Sequence, residues 1–227
     1  PDDLIAAFQK DTGYTLQITP SGNSGELVNK LVLTKDAPLG DAVFGVDNSF
    51  ASRVLTEKVI DTTAAVDLPQ GADQYVVDNT PALAPIDFGE VCVNVDTAWF
   101  TEHGQTPPAA FEDLTKPEYK NLFVAINPST SSTGLAFLLA TVAHFGTAET
   151  GGFADYWKQL AANGMRVDKG WTDAYYTDFS GGGKGGAYPI VVSYSSSPAA
   201  TLTADGSAST TAALPATAIR QVEYAGV

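Results

Sequence analysis

Four consecutive hydroxyl residues, Thr130, Ser131, Ser132 and Thr133, stand directly before Gly134 and the apolar run LAFLLATVAHF. A strand, a polar loop and a helix over Asn127 to Phe145 would leave free backbone N–H groups at the helix start with hydroxyls beside them. Such a turn holds an anionic group, phosphate above all, without needing a lysine. One Ser or Thr at that place serves only as a helix cap, and four exceed what a cap requires. From the residues alone, capping and ligand binding are evenly weighted. A second set is aromatic: Trp171, Tyr175, Tyr176 and Tyr194 occur in loop-like contexts beside Gly170, Asp173 and Ser195 to Ser197. Aromatic faces can sandwich a flat heterocycle, and a cationic one gains about 0.5–2 kcal/mol more by cation–π attraction. Each ring taken singly could equally fill a core. Asp47 ends the apolar stretch DAVFGVD, where open α/β sheets place their ligands, and could supply a counter-charge or accept from an amine. An isolated Asp after a strand also serves as a turn or cap residue.

Other candidates carry less. GGGKGG lacks the G-x-x-x-x-G-K-[ST] order of a phosphate loop and reads as a flexible hairpin tip. His103 and His144 have no cysteine or carboxylate at ligand spacing, so no metal site is expected; His144 reads as a satisfied, partly buried helix residue. No nucleophile elbow starts a Ser-His-Asp triad. Cys92, between Val91 and Val93, reads as a small buried hydrophobe. Glu90 falls on the same strand face, which leaves open a cysteine nucleophile with a carboxylate base.

The composition limits the partners. Of 227 residues, 26 are Asp or Glu and 12 are Lys or Arg, a formal net charge of −14. The basic residues are scattered singly, whereas a nucleic-acid binder needs them clustered to displace counterions. Nucleic acid and anionic membrane surfaces are therefore excluded as partners. An apolar fraction of 44% with three Trp, nine Tyr and eleven Phe is ample for a core, so the acidity does not signal disorder. The single cysteine rules out an intramolecular disulfide, a multi-cysteine zinc site and an iron–sulfur cluster. Gly134 to Phe145, the most apolar window, falls well short of the roughly 20 residues that span a bilayer, so no direct membrane insertion is expected. The start, PDDLIAAFQK, lacks the basic and apolar regions of a signal peptide, which implies a cytoplasmic chain or one whose signal has been removed.

The elements that must hold these residues follow from periodicity and punctuation. Asp2 or Asp3 caps a helix with Leu4, Ile5 and Phe8 on one face, and Gly13 stops it. YTLQIT then reads as a strand, Glu26 to Thr34 as a second helix, DAVFGVD as a strand and SFASRVLTEKVI as a helix. A domain crossover is placed near Ala82 to Phe88, leading into the alternating strand EVCVNVD. PAAFEDLTKPEYK carries a helix signature, LFVAIN a buried strand, FADYWKQLAANG a helix and MRVDKG a short strand. PIVVSYSSSPA reads as a strand returning to the first domain. Ala200 to Thr217 is weakly patterned, and IRQVEYAGV is a last strand. The class is α/β.

Together, VFGVDNSF (43–50), PIDFGEVCVNVD (85–96), INPSTSSTGLAFLLATVAHFG (126–146), KGWTDAYYTDF (169–179) and VVSYSSSPA (191–199) span most of the chain. In this order they resemble the thiamine-binding substrate-binding proteins of ABC importers, a branch of the type II-like periplasmic binding proteins. The resemblance implies a two-lobed α/β fold, with mixed sheets flanked by helices and a ligand cleft between the lobes. Residues 1–84 would form the first part of lobe 1 without its first strand, 85–190 lobe 2, and 191–227 a return to lobe 1 without the C-terminal helices. The chain would then be a partial copy of the family pattern. The implied role is capture of thiamine, and of its mono- and diphosphate, for delivery to an ABC permease subunit. The implied location is periplasmic or extracellular, with a lipid anchor as one form, and the family implies neither cofactor nor catalysis. Carried over by motif, Ser131, Ser132, Thr133 and Gly134 would meet the phosphate or hydroxyethyl end. Trp171 and Tyr175 would lie in the same cleft, Tyr194 would stack on a thiamine ring, and Asp47 would face the aminopyrimidine or the thiazolium. Two alternatives remain at this point: a thiamine-cleaving transferase using Cys92, and a binding protein for iron or another small anion. The net charge favours a cation at long range.

Overall fold

The computed structural model describes residues 2–64, 66–183 and 185–227. Six strands form one mixed sheet in the order β1 (Val43–Asp47), β6 (Thr211–Gly226), β2 (Ala84–Asp96), β5 (Ile190–Tyr194), β3 (Phe123–Ile126) and β4 (Arg166–Asp168). β1 and β2 pair antiparallel with β6, β2 pairs antiparallel with β5, and β3 runs parallel to both β5 and β4. The helices are α1 (Asp2–Thr12), α2 (Ser24–Leu33), α3 (Ala51–Glu57), α4 (Thr97–Glu102), α5 (Ser132–Phe145) and α6 (Phe153–Ala162).

Two apolar cores share this sheet. The smaller joins α2, α3 and the β1 end through Val28, Val46, Phe50, Val54, Leu83, Val222 and Tyr224. The larger packs α5 and α6 on the β5–β3 end through Phe111, Phe123, Ile126, Phe137, Tyr156 and Leu160. Their spacing follows from the sequence: β3 and β5 are short, continuous, β-branched runs, as strands covered on both faces must be. Each core defines a lobe, and the long strands β2 and β6 run through both.

The passage between lobes lies inside these strands. Val91 pairs with Ile219, but Val93 pairs with Leu214, so β6 carries extra residues at the step. Pro215, within that excess, has no N–H to give to a ladder and is tolerated where the pairing is already broken. Thr217 repairs the gap. Its buried hydroxyl accepts a hydrogen bond from the Val93 N–H at 2.9 Å and donates to the Leu214 carbonyl at 2.8 Å.

Several expectations change. The return to lobe 1 placed at residue 191 does not occur there: β5 lies between β2 and β3, and Ile190, Val191 and Val192 belong to the larger core. The chain returns along β6 instead, and the outward crossing falls within β2 rather than at residue 84. Ala200 to Thr217, weakly patterned in sequence, holds the start of β6, which begins at Thr211 and reaches sixteen residues; its Ala and Thr residues pair with β2 despite the weak alternation. YTLQIT is not a strand. Residues 14–19 join no ladder, and Tyr14, Leu16 and Ile18 are exposed, because alternation alone does not make a strand without a partner edge. The helix expected over PAAFEDLTKPEYK is two 3₁₀ turns, Phe111–Thr115 and Pro117–Tyr119, because Pro117 removes the N–H that would continue the first turn.

Thr217→Val strands a buried N–H and a buried carbonyl, and is expected to cost about 1–3 kcal/mol. Thr217→Ser should restore most of that loss. Chemical denaturation of the three proteins measures it.

Candidate functional site

Gly45 sets the geometry of β1. With φ of 99° it forms a bulge that shifts the register between Phe44 and Val46, so Val46 enters the core while Phe44 and Asp47 share the opposite face. On that face Asp47 stands directly across from Glu223 of β6, and Glu223 directly across from Asp87 of β2. Three carboxylates thus form a row across three adjacent strands. Like charges placed opposite one another oppose pairing, so the row needs compensation.

Part of it is hydrogen bonding. Asp47 Oδ1 accepts from the N–H groups of Ser49 at 2.8 Å and Phe50 at 3.2 Å, and its other oxygen accepts from the Gln221 amide at 3.3 Å. The same amide donates to Glu223 at 2.6 Å. The rest is protonation. Burial, then the neighbouring Asp47, pushes the Glu223 carboxyl up to about 7. Burial also raises Asp47, against which the nearby Ser132 and the two N–H groups act. No Lys or Arg among the described residues forms an ion pair with any of the three.

A cleft of about 410 Å³ opens over this row, with Phe44, Asp87, Gly89, Tyr194, Gln221 and Glu223 among its lining residues. Tyr194 ends β5 and brings the second lobe to the cleft. Its phenol is pushed up to about 12 by burial and by Glu223. Behind it, Trp171 lies 6.1 Å from the Tyr194 ring and stacks on Tyr175 at 4.9 Å and 13°, with Tyr176 edge-on at 5.3 Å. The Trp171 indole donates to Ser193 Oγ at 2.9 Å, and Ser193 shares a 2.7 Å hydrogen bond with Ser197. A π-helical turn, Asp173–Asp178, presents the two tyrosines; the Phe179 N–H closes it on the Ala174 carbonyl. Tyr175 is buried against Trp171, whereas Tyr176 is exposed.

The hydroxyl run starts α5 as expected, with Ser131 as N-cap. Ser131 and Thr133 bond to each other at 2.8 Å, and the buried Ser132 Oγ stands near Asp47 outside hydrogen-bonding geometry, without a partner. Gly134 is required by packing: a Cβ there would lie 2.5 Å from the Ile126 carbonyl oxygen and 2.7 Å from that of Asn127. This turn does not line the cleft, because the start of α2 covers it. A Cβ on Gly25 would lie 2.9 Å from the Thr130 backbone, Lys169 pairs with Glu26 at 2.9 Å, and Thr130 Oγ1 donates to the Lys169 carbonyl at 2.6 Å. The lobes are therefore closed on each other.

Of the eight expected residues only Tyr194 lines the open cleft; Asp47 is buried beneath it in the acidic row, Trp171 and Tyr175 stand behind Tyr194, and Ser131 to Gly134 lie beneath α2. Gln221, Glu223 and Asp87 were missed. For Gln221 and Glu223 the signal available was their spacing two apart in QVEYAGV, which puts both on the strand face opposite Val222 and Tyr224; nothing comparable marked Asp87. Elsewhere, Cys92 is fully buried opposite Ser193, and burial pushes its thiol up to about 11. His144 meets Glu112 at 2.6 Å, and among the described residues no cluster of His, Cys, Asp and Glu is arranged to hold a metal ion. No helix is long and apolar enough to cross a membrane, among the described residues.

The family model for bacterial extracellular solute-binding proteins matches residues 3–226. A thiamine-binding periplasmic protein of Salmonella typhimurium is 26% identical over 199 residues, which cover 85% of this chain and 54% of that protein. One from Haemophilus influenzae is 29% identical over 184 residues, covering 81% and 51%. The chain thus spans about half the length of the curated relatives it matches. Among solved structures, a periplasmic thiamin binding protein superposes with a TM-score of 0.78 at 22% identity, over 98% of this chain and 66% of the other. That likeness shares the two-lobed fold.

Two measurements test this geometry. Gly134→Ala is expected to destabilise the fold by about 1–3 kcal/mol, since backbone blocks the added methyl; thermal unfolding reads it. Glu223 keeps in the folded state, between its ordinary 4.5 and about 7, a proton that the unfolded chain has lost. Its contribution to stability therefore falls as pH rises through that window and is level above it. Glu223→Gln should flatten that part of the stability–pH curve.

Proposed function

This chain belongs to the bacterial extracellular solute-binding proteins, and we propose that it captures thiamine in the cleft between its lobes and presents it to an ABC permease subunit. The observation that carries this reading is the row Asp47–Glu223–Asp87, unneutralised by any basic side chain of the described residues and faced by Tyr194 with Trp171 behind it. A flat cation satisfies both surfaces at once. The positive charge compensates the row, and a ring finds an aromatic wall of stacked, already oriented side chains. The names of the relatives, thiamine-binding periplasmic proteins, support the same ligand.

Closure supplies the affinity. When α2 covers the start of α5, water leaves the cleft and each polar contact strengthens. The turn Ser131 to Gly134 is covered by α2 in this closed arrangement and lies outside the open cleft, so its hydroxyls and N–H groups would reach the alcohol or phosphate end of the ligand only with the α2–α5 seam parted. This is binding without bond cleavage. A cysteine nucleophile is opposed by Cys92 itself, whose thiol is buried and held protonated. A metal cargo finds no ligand set among the described residues. The place of action proposed is outside the cytoplasmic membrane, where the relatives are named as periplasmic.

Calorimetric titration with thiamine, thiamine monophosphate and thiamine diphosphate tests the proposal. Saturable binding of thiamine is expected. Tyr194→Ala should weaken it roughly tenfold or more, given about 1–3 kcal/mol for a ring stacked on an aromatic side chain. Absence of heat with all three compounds would refute the assignment.

A further inference from the structure

Gln221 is almost wholly buried and lines the cleft, yet only half of its amide is used. Its Nε2 donates to Asp47 and to Glu223, which fixes the side chain, and its carbonyl Oε1 has no hydrogen-bond partner. An unpaired buried acceptor is costly unless something completes it. Because both N–H directions are committed to carboxylates, the amide cannot turn over to pair its oxygen without breaking both bonds. The same two bonds tie the orphan oxygen to the carboxylate row.

We propose that Gln221 and Glu223 form a recognition pair in which the Gln221 carbonyl accepts an N–H of the ligand while the Glu223 carboxylate selects a cationic ligand over a neutral one of the same shape. The inference rests on the reading of this cleft as a thiamine site. The ligand class it specifies is an organic cation that also carries an N–H donor.

The pairing has a consequence for protons. Glu223 faces Asp47 from β1, Asp87 from β2 and Tyr194 from β5, while Gln221 donates to it along its own strand. Burial and the repulsion from Asp47 and Asp87 outweigh the Gln221 hydrogen bond, and Tyr194 is an uncharged phenol, so without a ligand the Glu223 carboxyl holds its proton to near neutrality. A cation in the cleft reverses the balance. Glu223 then ionises, its proton passes to the solvent, and the new negative charge remains on its carboxylate beside the ligand.

The experiment is calorimetry at about pH 6, below the Glu223 midpoint, in buffers of different ionisation heat, which counts protons released per ligand bound. The probes are thiamine and 3-deazathiamine, its uncharged thiophene isostere, which keeps the aminopyrimidine N–H groups. Wild type is expected to release a large fraction of one proton on binding thiamine and to bind 3-deazathiamine more weakly. Glu223→Gln should abolish the release and weaken thiamine about tenfold or more, with 3-deazathiamine little changed. Gln221→Met should weaken thiamine while the proton release persists; circular dichroism and melting confirm that each variant is folded. If wild type binds thiamine and Glu223→Gln matches it in affinity and proton release, the inference is overturned and the thiamine reading stands. If wild type binds neither probe, the thiamine reading fails and the inference with it.

Discussion

The antiparallel ladder between β2 and β6 is the constraint on which the other features depend. It is the longest pairing in the molecule, it runs through both lobes, and both cores are hung from it. Because its register steps once, between Val91–Ile219 and Val93–Leu214, the two lobes share a sheet yet meet where backbone pairing is interrupted. The Thr217 hydroxyl stands in for the missing ladder partner, so the interruption leaves the Val93 N–H and the Leu214 carbonyl paired. A joint of this kind concentrates bending in a few residues and leaves the rest of the sheet rigid.

The same ladder creates the acidic row. Asp47, Glu223 and Asp87 are neighbours only because β6 is held between β1 and β2 in one register, and a shift of one residue would turn Glu223 into the core and Tyr224 into the cleft. Such a row weakens the sheet that contains it. Protonation of Glu223 and the bridging Gln221 amide offset part of that cost, and the orphan Gln221 oxygen leaves part of it standing. Local rules are broken here and kept in the apolar strands β3 and β5, which is the distribution expected when binding rather than stability has shaped a site.

Closure has its own steric logic. Two helix starts meet, α2 from one lobe and α5 from the other, and Gly25 permits the approach against Thr130, while Gly134 seats α5 on the carbonyls that end β3 within its own lobe. The exposed Lys169–Glu26 pair contributes little beside these contacts. Leu135, one residue past Gly134, packs on the smaller core, so the helix that carries the hydroxyl run is also a contact between lobes.

The sequence by itself determined the α/β class, the α5 helix with its hydroxyl run, the strands β1, β3 and β5, and the candidates Asp47, Trp171, Tyr175 and Tyr194, because each of these is written in local periodicity or in an ordered motif. It could not determine that residues 14–19 would find no partner edge, nor that the Ala- and Thr-rich stretch before Ile219 would begin the longest strand. Both outcomes depend on which edges are free, and that is a property of the assembled sheet. The fold alone shows that Gly134 is also a packing necessity, since the carbonyl oxygens of Ile126 and Asn127 would stand 2.5 and 2.7 Å from a Cβ there. Only the tertiary structure decided that Glu223, far from Asp47 in the chain, stands directly opposite it. The reason is physical: the charge, burial and unpaired oxygen of this site are set by cross-strand register, and register is fixed by the two cores together rather than by any segment alone.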